Sequence, residues 1–160
     1  MINKDEEILI CRKAIDTFGE TVQKIKAIEE ISELTRAIMM ALQSKKNNVE
    51  EKIADVEIML MQLRLMYSSD KVEHELETVY ELIPPGIIEQ CVESLNGLSQ
   101  HICKELALDK PLDVRKIAYG INCIETLKRR KFNTKEIEEI KQLKLKRLDG
   151  IIYGTQKIKG

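Results

Sequence analysis

The sequence predicts an all-α protein, a helical bundle built from two related helix-pair units. Apolar residues recur three and four positions apart along most of the chain, which is the spacing of helices with one buried side. No segment shows convincing period-two alternation of β-branched residues, so strands are not expected. Composition agrees, because 33% of the 160 residues are charged, only seven are glycine and none is tryptophan.

The first three predicted helices are bounded by a cap, a glycine and a polar loop. Asn3 can cap the first helix, and Gly19 interrupts or ends it. The second helix is expected over about residues 20–43. Residues 44–48 are polar, which is typical of a loop, and a third helix is expected over about residues 49–67.

Proline and glycine mark the boundaries in the rest of the chain. A fourth helix is expected over about residues 70–83, and Pro84-Pro85-Gly86 ends it. Two more helices are expected over about residues 87–106 and 113–130. A last helix is expected over about residues 133–153, capped by its first or second residue.

Charge and hydropathy exclude several classes of partner. The net charge of −1 provides no overall basic field for a nucleic-acid polymer. The basic residues at 128–131 and 141–147 are interpreted as a solvated helix face, with a phosphate-facing role for one or two of them as the alternative. The N-terminal residues contain no signal-peptide core, and no apolar stretch approaches the ~18 residues of a membrane span. We therefore expect a cytoplasmic protein without a membrane partner.

An internal repeat divides the chain at the Pro-Pro-Gly segment. A shift of 64 residues without a gap aligns two stretches of the chain. The aligned apolar and lysine positions are Leu34 with Leu98, Ile38 with Ile102, Leu42 with Leu106, and residues 52–54 with 116–118. The acidic positions differ: Glu30 aligns with Ser94, Glu33 with Gly97, Asp55 with Tyr119 and Glu57 with Ile121. We predict a unit at 1–83 that keeps its acids, a linker at 84–86 and a degenerate unit at 87–160; chance agreement between amphipathic helix pairs is the alternative.

Carboxylates of the second and third helices are the candidate metal ligands. Glu30 and Glu33 share a side of the second helix, because residues three apart lie about 60° from each other around the axis. The third helix is apolar around most of its circumference beyond Ala54, so Asp55 is expected to be buried and to need a lysine, an arginine or a metal. Oxygen ligands from two helices suit Mg²⁺, with Mn²⁺ as the alternative. Among 27 acids, however, the E-E-x-x-E spacing also arises by chance.

Two segments resemble the MazG-like, all-α NTP pyrophosphohydrolases, whose pattern is E-E-x-x-E followed after a gap by E-x-x-D. They are residues 27–37, AIEEISELTRA, and residues 53–63, IADVEIMLMQL. Residues 14–19 with Gln23 resemble the family's usual lead-in, and residues 144–148 resemble its closing segment. Together these segments cover roughly half of the chain.

The resemblance implies a tandem, pseudo-dimeric bundle, either a monomer that mimics a dimer or a homodimer. It also implies Mg²⁺-dependent hydrolysis of a nucleoside triphosphate or deoxynucleotide to the monophosphate. Carried onto this sequence, the family pattern makes Glu30, Glu33 and Asp55 the catalytic metal ligands, with Glu51 as a further ligand. Lys144, Lys146 and Arg147 are the residues expected to contact phosphates.

Lys52 departs from the family pattern, which has glutamate at this position. Glu51 lies one residue earlier and still shares a face with Asp55, four residues away, so it is one possible substitute ligand in a weakened hydrolase. Alternatively, the Lys52 ammonium takes the place of the metal and neutralises Glu30, Glu33 and Asp55. The second alternative predicts an inactive protein that binds a nucleotide or a protein partner. A helical interaction module unrelated to the family is the third hypothesis.

Overall fold

The computed structural model describes residues 1–82, 88–130 and 132–159, and every regular element in these ranges is an α-helix. The all-α prediction is therefore confirmed, while the predicted linker at 84–86 lies outside the described residues. The helices are α1 (Lys4–Phe18), α2 (Glu20–Leu42), α3 (Val49–Tyr67), α4 (Ser69–Leu82), α5 (Ile88–Leu108), α6 (Val114–Arg130) and α7 (Thr134–Lys159). No helix in this part of the chain is both long and apolar enough to cross a membrane.

Local caps and glycine explain the ends of the helices. The Asn3 side chain accepts a hydrogen bond from the Glu6 backbone N–H at 2.9 Å, and the Glu6 carboxylate accepts one from the Asn3 N–H at 2.8 Å. Gly19 separates α1 from α2 at a φ of 92°, a backbone conformation that favours glycine. Helix α7 continues to Lys159 instead of ending near Tyr153, because one helical glycine, at 154, costs only about 1 kcal/mol.

Four helices form the centre of the molecule. Helix α2 packs on α3, α5 packs on α6, and the two pairs meet through α2 with α5 and α3 with α6. The largest hydrophobic cluster draws residues from all four helices, among them Leu34, Ile53, Leu98, Ile117 and Leu127. The predicted division at the Pro-Pro-Gly segment stays a prediction, and the central core is shared across it.

Helices α1 and α7 pack together on the outside of α3. A second cluster there joins Cys11 and Ala14 of α1, Ile58 and Met61 of α3, and Leu145 of α7. The C-terminal helix therefore lies against the first half of the chain. This arrangement brings the basic residues of α7 beside the acidic residues of α3.

The helix bounds and the burial of aligned residues are similar at the offset of the predicted repeat. At an offset of 64 residues, α2 falls on α5 and α3 falls on α6. Aligned apolar pairs are buried alike: Leu34 and Leu98, Ile38 and Ile102, Ile53 and Ile117, and Leu63 and Leu127 are all at most 1% exposed. The pseudo-dimeric origin of this pattern stays a prediction.

Candidate functional site

A groove with an internal volume of about 450 Å³ lies where α2, α3 and α7 meet. We call it the α2–α3–α7 groove. Its lining combines two carboxylates, three basic side chains, two amides and an apolar wall: Glu30, Asp55, Lys26, Lys144, Arg147, Gln23, Gln62, Phe18, Val22, Ile58, Met59, Leu148 and Ile151. The groove therefore contains two of the four predicted metal ligands, Glu30 and Asp55, whereas Glu33 and Glu51 lie outside its lining.

The ammonium of Lys52 lies among the three predicted catalytic carboxylates. Lys52 Nζ is 2.5 Å from Glu33 Oε2, 3.4 Å from Asp55 Oδ2 and 3.9 Å from Glu30 Oε2. Helices α2 and α3 are joined by the short segment 43–48, so they run antiparallel and bring these side chains together. Of the two predicted arrangements, the structure has the one in which Lys52 neutralises the acids directly.

Two further lysines pair with the same acids. Lys144 Nζ of α7 lies 2.8 Å from Asp55 Oδ1 and 3.4 Å from Glu51 Oε1. Lys26 Nζ lies 3.0 Å from Glu30 Oε1, one helical turn away on α2. Asp55 thus has two ammonium partners, which meets the need for a cation expected from its burial. Glu51 is half exposed and pairs with Lys144 at the edge of the site.

Burial and charge shift the pKa values of this cluster in different directions. Burial alone would lower the pKa of Lys52, but its hydrogen bond to Glu33 and the charges of Asp55 and Glu30 raise it above the ordinary value. The same hydrogen bond lowers the pKa of Glu33. Burial raises the pKa of Glu30 in spite of Lys26, and Glu30 Oε2 is buried without a hydrogen-bond partner.

The residues in this arrangement do not fit a divalent cation. A Mg²⁺ ion needs several oxygen ligands around one open point, and here a protonated amine lies between the carboxylates. Across residues 1–82, 88–130 and 132–159, no group of three or more His, Cys, Asp and Glu side chains is arranged to hold a metal. The Mg²⁺ site predicted at Glu30, Glu33, Glu51 and Asp55 would require Lys52 to leave the cluster.

The three basic residues predicted to contact phosphates do not share one surface. Lys144 and Arg147 both line the α2–α3–α7 groove. Lys146 is exposed and is not part of that lining. Two residues along a helix correspond to a rotation of about 200°, so Lys146 points away from Lys144.

The sequence analysis did not predict Lys26 as part of the site, nor the hydrogen bond between Gln23 and Gln62. The ion pair of Lys26 with Glu30 could have been predicted, because a lysine four residues before a glutamate lies on the same helix face. Gln23 Nε2 donates a hydrogen bond of 2.7 Å to Gln62 Oε1, and both amides are buried at the groove. Nothing in the sequence pairs these two glutamines, which lie on different helices.

A second ionic cluster, also missed, joins α1, α3, α6 and α7 beside a cavity of about 390 Å³. Lys128 Nζ lies 2.7 Å from Glu57 Oε1 and 2.5 Å from Glu138 Oε1. Lys141 Nζ lies 3.5 Å from Glu57 Oε2 and 3.6 Å from Glu7 Oε1. The interpretation of Lys128 and Lys141 as part of a solvated face is therefore wrong, because helix packing buries both among carboxylates.

Comparison of the chain with protein-family models, curated proteins and solved structures gives no match. The resemblance to the MazG-like enzymes therefore rests on the motif residues alone and stays a prediction.

Proposed function

We propose that this chain is a catalytically inactive, MazG-like protein that binds a nucleotide in the α2–α3–α7 groove. The observation that carries the proposal is the Lys52 ammonium, 2.5 Å from Glu33 and 3.4 Å from Asp55. Metal-dependent hydrolysis needs carboxylates that are free to hold the ion and orient water. Here those carboxylates are neutralised by a side chain of the same protein.

The remaining groove suits a nucleotide in size and chemistry. Its volume of about 450 Å³ lies within the range of small-ligand sites. Phe18 and the apolar wall can cover a base, and the Gln23–Gln62 amides can offer hydrogen bonds to its edge. Arg147 lines the same groove and has no ion pair among the described side chains, so its guanidinium is available for a phosphate.

The test combines a binding measurement with a hydrolysis measurement. We expect isothermal titration calorimetry to detect binding of at least one nucleotide from a panel of (d)NTPs and their monophosphates. With Mg²⁺ or Mn²⁺ present, we expect no release of pyrophosphate or phosphate from the same panel. Hydrolysis by the folded protein would reject the proposed inactivity, and failure of every nucleotide to bind would reject the proposed ligand.

A matched pair of variants tests the location of the site. Arg147→Met removes a phosphate contact and is expected to weaken binding about 10- to 100-fold, in line with the ~1.5–3 kcal/mol of a hydrogen bond to a charged group. Lys146→Met removes the same charge from the opposite side of α7 and should leave the affinity unchanged. Equal losses in both variants would indicate a general electrostatic effect and not a site in the groove.

A Mg²⁺-dependent (d)NTP pyrophosphohydrolase is the second candidate. It is favoured by the convergence of Glu30, Glu33 and Asp55, whose carboxylates all lie within 3.9 Å of one ammonium. In this alternative Lys52 leaves the cluster when the ion and the substrate bind, and Glu51 substitutes for the missing glutamate. The hydrolysis measurement above separates the two candidates.

A further inference from the structure

A second groove, with a volume of about 990 Å³, lies between the end of α2, α5 and the first turns of α6. We call it the α2–α5–α6 groove. Among the described residues, it shares no lining residue with the α2–α3–α7 groove. Its wall includes the apolar side chains of Ile38, Met39, Leu42, Ile88 and Val92. Met39 and Leu42 are 55% and 64% exposed, so apolar surface is open to a ligand here.

The groove is lined by the repeat counterparts of the acidic cluster. Ser94, Gly97, Lys116 and Tyr119 all contribute to it. At the offset of 64 residues they correspond to Glu30, Glu33, Lys52 and Asp55 of the first half. Where the first half has two glutamates, the second half has serine and glycine, so open space lies at the positions of two carboxylates. A Cβ added at Gly97 would meet no heavy atom within 4 Å.

Lys116 differs from its repeat counterpart Lys52 in its charged neighbours. Lys52 lies within 4 Å of three carboxylates, whereas none of the described carboxylates lies within 4 Å of Lys116 Nζ. Its ammonium lies instead 5.7 Å from the centroid of the Tyr119 ring. Here a positive charge lies beside an aromatic ring and an apolar wall. This combination suits an anion that also has a large apolar part.

The charges around the groove restrict the ligand to a single negative charge. Among the residues that the structure describes, Lys116 is the one lysine or arginine of the lining, while Glu89 and Glu93 are its acids. A triphosphate, with about four negative charges, would meet one ammonium and two carboxylates and would be repelled. A carboxylate is satisfied by one ammonium with additional hydrogen bonds from Ser94 or the Asn96 amide.

We propose that the α2–α5–α6 groove binds an aromatic monocarboxylate, with Lys116 Nζ paired to the carboxylate and Tyr119, Met39 and Leu42 against the ring. The volume of about 990 Å³ accommodates a ligand of two fused rings. This site is independent of the nucleotide proposed for the other groove. Failure of nucleotide binding in one groove therefore leaves carboxylate binding in the other open to measurement.

The experiment uses 2-naphthoate as the probe, with uncharged 2-naphthalenemethanol as its matched control. The ¹⁵N-labelled full chain is titrated with each compound, and affinity is taken from the amide shifts of α5 and α6. We expect 2-naphthoate to bind at least tenfold more tightly than the alcohol. Equal affinities would overturn the role of the charge, and absence of saturable shifts up to about 5 mM would overturn the site.

Three variants locate the contact. Lys116→Met should weaken the binding of 2-naphthoate at least tenfold, so that its affinity equals that of the alcohol. Lys110→Met, in the exposed turn before α6, should change neither affinity. Gly97→Leu keeps Lys116 but fills the groove, so it should abolish binding of both compounds.

The controls give each outcome a meaning. Circular dichroism melting confirms that each variant is folded, and Gly97→Leu provides the test if Lys116→Met does not fold. Full affinity in folded Gly97→Leu, or 2-naphthoate shifts confined to α3 and α7, would overturn the proposal.

Discussion

At the scale of single residues, Lys52 determines what the acidic cluster can do. Its side chain is only 17% exposed, and its ammonium lies among Glu33, Asp55 and Glu30. Three carboxylates this close would repel one another without a positive charge. Lysine supplies that charge permanently, whereas a metal would supply it only when bound. Lys52 therefore neutralises the cluster without a bound ion.

Lys52→Glu is expected to convert the cluster into a cation site. The variant places four carboxylates around one point, so its thermal midpoint should fall in metal-free buffer and recover when Mg²⁺ is added. Calorimetry should detect Mg²⁺ binding by the variant and none by the original protein. Lys52→Met, which removes the ammonium without adding a carboxylate, is the control. Unchanged Mg²⁺ affinity in Lys52→Glu would contradict the idea that Lys52 stands in for the ion.

Glu30→Gln should change how stability depends on pH. The folded-state pKa of Glu30 is raised above the unfolded value of 4.5, mainly by burial, so its charged form costs stability at neutral pH. That cost disappears as pH falls through the raised pKa toward 4.5. The gain of Glu30→Gln over the original protein should therefore be larger at pH 7 than at pH 4.5. Urea unfolding at both values measures it, and a gain that grows on acidification would show the opposite shift.

At the scale of helices, the local signals for starting and stopping are strong in this chain. Asn3 and Glu6 form a capping box, and Asn133 accepts a hydrogen bond of 3.1 Å from the Glu136 N–H at the start of α7. Such signals act over a few residues, which is why α1 and α7 begin where the sequence predicts. Helix α7 continues past the predicted end near Tyr153, because Gly154 alone does not stop a helix.

Two glycine substitutions should have opposite effects on stability. Gly19, at a φ of 92° and a ψ of 150°, has a conformation that is strained for any other residue, so Gly19→Ala should cost about 1–3 kcal/mol. Gly150 lies inside α7, and a Cβ there meets nothing within 4 Å, so Gly150→Ala should gain about 0.5–1 kcal/mol. Urea unfolding of both variants gives the comparison. A neutral or stabilising Gly19→Ala would contradict the strained geometry between α1 and α2.

At the scale of the whole molecule, charge pairs connect distant segments. Glu57 and Lys128 are separated by 71 residues, and both side chains are at least nine-tenths buried. Glu7, Glu138 and Lys141 extend the network to α1 and α7. Burying charges costs solvation energy, which only their mutual attraction offsets. Each member is therefore more costly to remove alone than an exposed ion pair would be.

Lys128→Met should destabilise the protein by about 3–5 kcal/mol, because it leaves buried Glu57 with only the more distant Lys141. Lys144→Met removes a more exposed ion pair and should cost about 1 kcal/mol or less. Denaturant unfolding at pH 7 provides both values. In the double variant Lys128→Met/Glu57→Met, part of the stability lost in Lys128→Met should be recovered. Similar small losses in both single variants would show that the buried network contributes no more than a surface pair.

The sequence by itself determined the helical class, most helix ends and the approach of Glu30, Glu33 and Asp55. These features depend on caps, breakers and the 3.6-residue turn, which act between residues close in the chain. The sequence also restricted the partner of Asp55 to a lysine, an arginine or a metal. It left open whether Lys52 or a metal would be that partner.

Only the tertiary structure decided where the other charges lie. Lys144 reaches Asp55 because α7 packs along α3, and Lys128 reaches Glu57 because α6 packs beside them. The same packing leaves Lys116 in an open groove, although its helical environment in the sequence resembles that of Lys52. An ion pair forms only when two charged groups approach within a few ångströms. For segments far apart in the chain, helix packing sets that distance.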